Sequence, residues 1–138
     1  MSGDIFYATA AMGKAVTGRA LVAKDGFSAR YDLDRIRGVF SRPDHKLAGE
    51  NYRDRILVLD AAKGGVATAW MLYEMAARHV VPSALVLNVV NPIMVQGAAL
   101  AGLTLISGFD RDITLAVANG AQVEIDPNAE RPFLRVVG

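Results

Sequence analysis

The chain has 138 residues, with 15 Lys or Arg against 14 Asp or Glu and no cysteine. It is long enough to bury a core without covalent staples, and the missing thiols exclude disulfides, thiolate ligation of an iron–sulfur cluster and thiol nucleophile chemistry within this chain. The basic residues are scattered rather than striped, which argues against nucleic acid or a membrane surface as partner, and an early acid with no basic leader predicts a cytoplasmic protein forming a single domain over residues 1–138.

In chain order, residues 15–23 read as a strand, followed by a turn at Lys24, Asp25 and Gly26. Residues 27–54 form a long polar stretch carrying Asp32, Asp34, Arg35, Arg37, Ser41, Arg42, Asp44, His45 and Lys46, either a loop that carries function, as long loops often do, or, as its composition favours, a solvated excursion with one short hairpin around Gly38. An unbroken apolar run at 56–59, ending at Asp60, suits a strand buried on both faces. A turn with Lys63, Gly64 and Gly65 leads into a helix over 66–77 that is apolar around most of its circumference, with Trp70, Tyr73 and the methionines read as core.

Pro82 stops that pattern, and residues 84–87 form a second buried strand, so strand, helix and strand follow in the order of a parallel crossover. Asn91-Pro92 opens a helix to about Ala101. Residues 103–106 are a third short strand, 110–118 a helix ended by Asn119-Gly120, and 123–125 with 133–137 a closing hairpin. The first dozen residues carry no decisive pattern.

The candidates for chemistry gather at the C-terminal edge of the parallel strands, where open α/β sheets bind ligands. A Gly64-Gly65 helix entry offers unpaired amides and the positive end of the dipole to an anion, and Lys63 adds a full charge. The same glycines equally serve a tight turn alone. It is not a P-loop, since the Walker spacing is absent. His45 could bind a carboxylate or move a proton, though a lone loop histidine usually does neither. His79 sits where a cation favours the C-terminal dipole. Thr68 could present its hydroxyl at the helix start, or bond back to the preceding turn. Asn91 marks the start of the next helix on the same edge.

With Lys63-Gly64-Gly65, the Pro-Asp-His-Lys-Leu-Ala-Gly stretch at 43–49 and Asn91-Pro92-Ile93 in place, the chain resembles the small, swivel-domain subunit of the aconitase X family over approximately residues 18–126. The features that carry the likeness are His45-x-Leu47-x-Gly49 before a strand, the basic-Gly turn Lys63-Gly64 into a helix, and a Pro-Ile helix start after a strand. The resemblance implies an α/β fold of the swivelling β/β/α type, with a parallel βαβ core and flanking strands. It also implies one half of a hydro-lyase whose large subunit holds an iron–sulfur or iron centre. Family activities include dehydration of mevalonate 5-phosphate in archaea and of cis-3-hydroxy-L-proline in bacteria. In those relatives the turn continues Gly-Ser, and that serine is likened to the base of the aconitase swivel domain. Gly65 takes its place here, and Ala69 stands at a later serine of the motif.

The expectation is therefore a small subunit that helps dehydrate a small hydroxy acid at its interface with a cysteine-containing large subunit. It holds no metal or cofactor of its own. Lys63 and the amides of Gly64, Gly65 and Val66 would hold the substrate carboxylate, Ser41, His45 and Asn91 would border it, and Thr68 and His45 would be the catalytic side chains, with the base coming either from Thr68 or from the large subunit. The second expectation is a binding or regulatory module without the serine, self-associating through apolar surface.

Overall fold

A computed structural model of the chain describes residues 3–29, 31–63 and 66–138. In chain order its strands and helices are β1 (Ile5–Tyr7), β2 (Ala10–Met12), β3 (Val16–Val22), β4 (Leu33–Asp34), β5 (Val39–Phe40), β6 (Ile56–Ala61), α1 (Val66–Ala77), β7 (Ala84–Val89), α2 (Pro92–Leu100), β8 (Thr104–Ser107), α3 (Ile113–Ala116), β9 (Gln122–Asp126) and β10 (Phe133–Val136).

The apolar run after Arg55 becomes β6, the middle of a parallel set with β3 and β7, and β7 in turn pairs in parallel with β8. Its alternate residues serve two different cores. Leu57 and Leu59 face one with Leu72 and Met75 of α1 and Met94 and Ala98 of α2. Ile56 and Val58 face another with Val123, Ile125 and Leu134 of the antiparallel strands. A strand that is apolar at every position is what two buried faces require.

The full sheet runs β1-β10-β9-β3-β6-β7-β8-β2. Strand β3 joins its halves, pairing with β9 in antiparallel sense through Val16–Arg19 partners and with β6 in parallel through Ala20 to Val22. The outermost strands β1 and β2 are separated in the chain only by Ala8 and Thr9. The sheet must therefore curl until its two edge strands lie next to each other in the chain's path, which encloses the second core. Helices α1 and α2 cover the opposite face, giving a β/β/α layering. Among the described residues no helix is long and apolar enough to cross a membrane.

Helix α1 ends in a Schellman arrangement: the His79 N–H donates to the Ala76 carbonyl and the Val80 N–H to the Met75 carbonyl, with His79 at φ 60 in the left-handed position glycine usually takes. The expectation that α1 is buried around most of its circumference is corrected. It buries Thr68, Leu72 and Met75, while Val66, Trp70 and Tyr73 are exposed, so the two aromatics are surface rather than core.

The predicted helix over 110–118 shrinks to the single turn α3. Asp112 is its N-cap and Val117 already turns extended, freeing Asn119 to accept the Val22 N–H and Gly120, at φ 87, to accept from Arg19. The stretch 27–54 does contain the hairpin, β4 with β5 around Gly38. It is not a solvated excursion, however: Phe27, Ala29, Leu33, Phe40, Leu47 and Tyr52 join the core under α1 and α2.

Candidate functional site

The parallel strands place their C-terminal ends side by side. Ala61 pairs with Val89, the Ala62 N–H donates to the Val89 carbonyl at 3.2 Å, and the Lys63 N–H donates to the Phe27 carbonyl at 2.8 Å. The segments after β3, β6 and β7 therefore share one edge, and both α1 and α2 begin there. Asn91 is the N-cap of α2, its side-chain oxygen accepting the Met94 N–H at 2.8 Å. Val66 is the exposed first residue of α1. Gly64 and Gly65 lie outside the described residues.

Lys63 lies exposed across Gly26. A Cβ built on Gly26 would come 2.8 Å from Lys63 Cε, so the missing side chain is the space the lysine occupies. Among the described residues the Lys63 ammonium makes no ion pair, whereas the neighbouring cations are engaged: Lys24 on Asp112 at 2.9 Å, and Arg42 on Asp32 and Asp25. Lys63 is thus a cation with charge to spend, beside two helix N-termini whose first amides lack intrahelical partners.

His45 is brought to the other side of the same glycine. Its ring is wholly buried and stacked on Phe40 at 4.6 Å, its Nε2 donates to the Gly26 carbonyl at 2.8 Å, and its Nδ1 accepts the Leu47 N–H at 3.0 Å. This pattern sets the Nε2–H tautomer and leaves neither ring nitrogen open to a ligand. Around it, burial pushes the Asp25 carboxyl up, yet the Lys46 and Gly26 amides, with the Arg42 guanidinium, hold it below the ordinary carboxylate value. Ser41 stands exposed at the rim, its N–H on the Asp32 carbonyl at 2.8 Å. Thr68 is 2% exposed and faces inward from α1, so it is not presented to the edge. Lys63, Val66, Asn91 and the His45 loop are therefore brought together, Ser41 reaches only the margin, and Thr68 lies beneath.

A second polar group closes the curled-sheet side of this edge. One Asn88 amide nitrogen donates to Asp60 at 2.9 Å and to Asp112 at 2.8 Å, while its oxygen accepts the Ile113 N–H at 2.8 Å. The Thr114 hydroxyl, then Asn88 and Lys24, hold the Asp112 carboxyl far below the usual range. The signal for this bridge is in the sequence, since Asp60 and Asn88 both end apolar runs at matching positions. Read strand by strand, each looks like a mere stop.

Among the described residues no three His, Cys, Asp or Glu side chains are grouped to hold a metal ion, and the chain has no thiolate. This donor set does not fit an iron–sulfur or iron centre.

The model of the aconitase X swivel domain matches residues 5–133. The chain belongs to that family. Among its relatives, the phosphomevalonate dehydratase small subunit of Methanococcoides burtonii is 31% identical over 79% of this chain and 80% of that protein. The protein of the same name from Thermococcus sibiricus is 30% identical over 83% and 85%. The solved structure of Thermococcus kodakaraensis aconitase X in its holo form superposes with a TM-score of 0.89, covering 99% of this chain and all of that one at 18% identity, which establishes the swivel fold.

For an aconitase X swivel domain, the alanine at position 69 has a reason in this structure. A Cβ on Gly97 would lie 2.7 Å from both Cα and Cβ of Ala69, so α1 and α2 cross in contact at this pair. A hydroxyl at 69 would enter that crossing rather than the ligand edge.

Proposed function

We propose that this chain is the small subunit of an aconitase X-like hydro-lyase of the cytoplasm. It takes part in dehydrating a small hydroxy acid, hydroxyproline-like or phosphomevalonate-like, at the interface with a cysteine-containing large subunit that carries the iron–sulfur or iron centre. The observation that carries this reading is the placement of Lys63, without an ion pair among the described residues, beside the N-terminal ends of α1 and α2. The family and the names of its relatives support it.

Removing the proton beside a carboxylate moves negative charge onto the carboxylate oxygens. Lys63 and the amides at the start of α1, with Gly64, Gly65 and Val66, bind the ground-state anion and strengthen as that charge grows. Asn91 orients the start of α2 at the border of the site, and Ser41 lines its outer margin. His45 acts as a positioning residue, holding Gly26 and thereby the floor under Lys63. With both ring nitrogens of His45 bonded and Thr68 buried, the large subunit supplies the proton-abstracting group.

Co-expression with the large subunit from the same organism, followed by assay over phosphorylated and cyclic hydroxy acids, tests the reading. Turnover is expected only when both chains are present. The second reading, a binding module that has lost its base, is favoured by Gly65 at the position of the family serine. A complex that binds hydroxy acids without turning them over would select it.

A further inference from the structure

The exposed apolar residues of α1 and α2 lie on facing flanks. On α1, Leu72 marks the buried direction and Ala69 the direction of α2. Val66 and Tyr73 stand on the α2 side and outward, and Trp70, four residues after Val66 and three before Tyr73, points straight outward between them. On α2, Met94 points inward and Gly97 toward α1. Ile93 and Leu100, seven apart, stand on the α1 side and outward. The two rows border one seam, and Trp70 and Tyr73 already meet edge to face at 6.3 Å.

These five side chains are 62%, 62%, 50%, 39% and 62% exposed for Val66, Trp70, Tyr73, Ile93 and Leu100. At roughly 150–250 Å² for each aromatic and somewhat less for each aliphatic side chain, that is on the order of 400–500 Å² of apolar surface. A standard interface takes about 800 Å² from each partner, somewhat under two-thirds of it apolar, so the seam alone supplies the apolar part of one side. No charged residue interrupts it, and the Glu74–Arg78 pair lies on the outer flank as a rim.

We infer that this seam is the surface on which the large subunit docks, an inference that rests on the two-subunit reading above. The seam ends at Val66 and Ile93, the first turns of both helices, beside Lys63. A partner seated on it reaches the edge that needs a metal centre and a base, whereas a second copy of this chain would bring another edge without thiolates.

The test uses the full chain and the large subunit from the same organism. Trp70→Ala should weaken assembly at least tenfold in a binding titration. Leu115→Ala, at an exposed leucine on α3, should leave it unchanged. Trp70 is the chain's one tryptophan, so 5-fluorotryptophan incorporation gives a single fluorine resonance that should shift on assembly. Assembly with unaltered affinity and no shift overturns the inference alone. So does a homodimer that Trp70→Ala dissolves while the two-subunit affinity stays the same. Failure of the unmodified, folded chain to bind the large subunit at all overturns the two-subunit reading and this inference with it.

Discussion

The Gly26 carbonyl accepts the Nε2 proton of His45 at 2.8 Å across nineteen positions of sequence, and the missing side chain of the same glycine is the space where the Lys63 stem lies. One residue thus joins the buried histidine to the exposed lysine. Replacing His45 with Ala would empty a stacked, buried ring and strand both the Gly26 carbonyl and the Leu47 N–H. A loss of about 3 kcal/mol is expected in denaturant unfolding. If His45 positions rather than transfers protons, His45→Asn, which can still accept from Leu47, keeps the shape of the pH–rate profile in the assembled enzyme while lowering its height.

Gly26→Ala makes a narrower change. Its new methyl would press on Lys63 Cε and Cδ, the far part of a flexible side chain, and Gly26 has no positive φ to strain. Stability should change by less than about 1 kcal/mol, with KM for an anionic substrate rising because the ammonium is displaced. An unchanged KM would show that Lys63 points elsewhere in the complex.

At the crossing of α1 and α2, Gly97→Ala should be destabilising although alanine is the better helix former. The added methyl meets the backbone of Ala69 at 2.7 Å, which cannot swing aside. The helices must separate, at a cost of about 1–3 kcal/mol against roughly 1 kcal/mol of helix propensity gained. Thermal unfolding of the variant measures the balance, and a lower Tm is expected.

The carboxyls of Asp112 and Asp25 are held below the ordinary value of 3.8, Asp112 by the Thr114 hydroxyl, Asn88 and Lys24, and Asp25 by the Lys46 and Gly26 amides against burial. Groups of this sign stabilise the fold fully above that value, and the contribution drains as pH falls through the lower folded value. Acid titration should therefore show stability falling steadily below about pH 4. Asp112→Asn should flatten that slope while costing stability at neutral pH.

Much of the scaffold was legible because it depends on local pattern. The apolar runs of β6 and β7, the proline start of α2 and the proline-free helix from Val66 all stand where the sequence places them. Trp70 and Tyr73 read as core because hydrophobicity alone cannot distinguish a buried helix face from an exposed one. The stretch 27–54 reads as solvated because its charges are conspicuous, yet Asp32 is consumed by Arg42 and the Ser28 amide while Phe27, Phe40 and Tyr52 go inward. The strands β1 and β2 are three residues each, and only their pairing with β10 and β8 makes them strands. At the edge, Lys63 and Asn91 were visible from their place after apolar runs. The Asp60–Asn88–Asp112 bridge depends on pairing between strands and was not.

The most direct measurement is the dehydration rate of the reconstituted two-subunit complex, with unmodified chain and with Lys63→Ala, over phosphorylated and cyclic hydroxy acids. A charge-assisted contact to the substrate carboxylate is worth roughly 1.5–3 kcal/mol, so kcat/KM should fall about tenfold or more with Lys63→Ala, and neither subunit should turn over alone. Equal rates with and without the lysine, or turnover by the large subunit in the absence of this chain, would contradict the account.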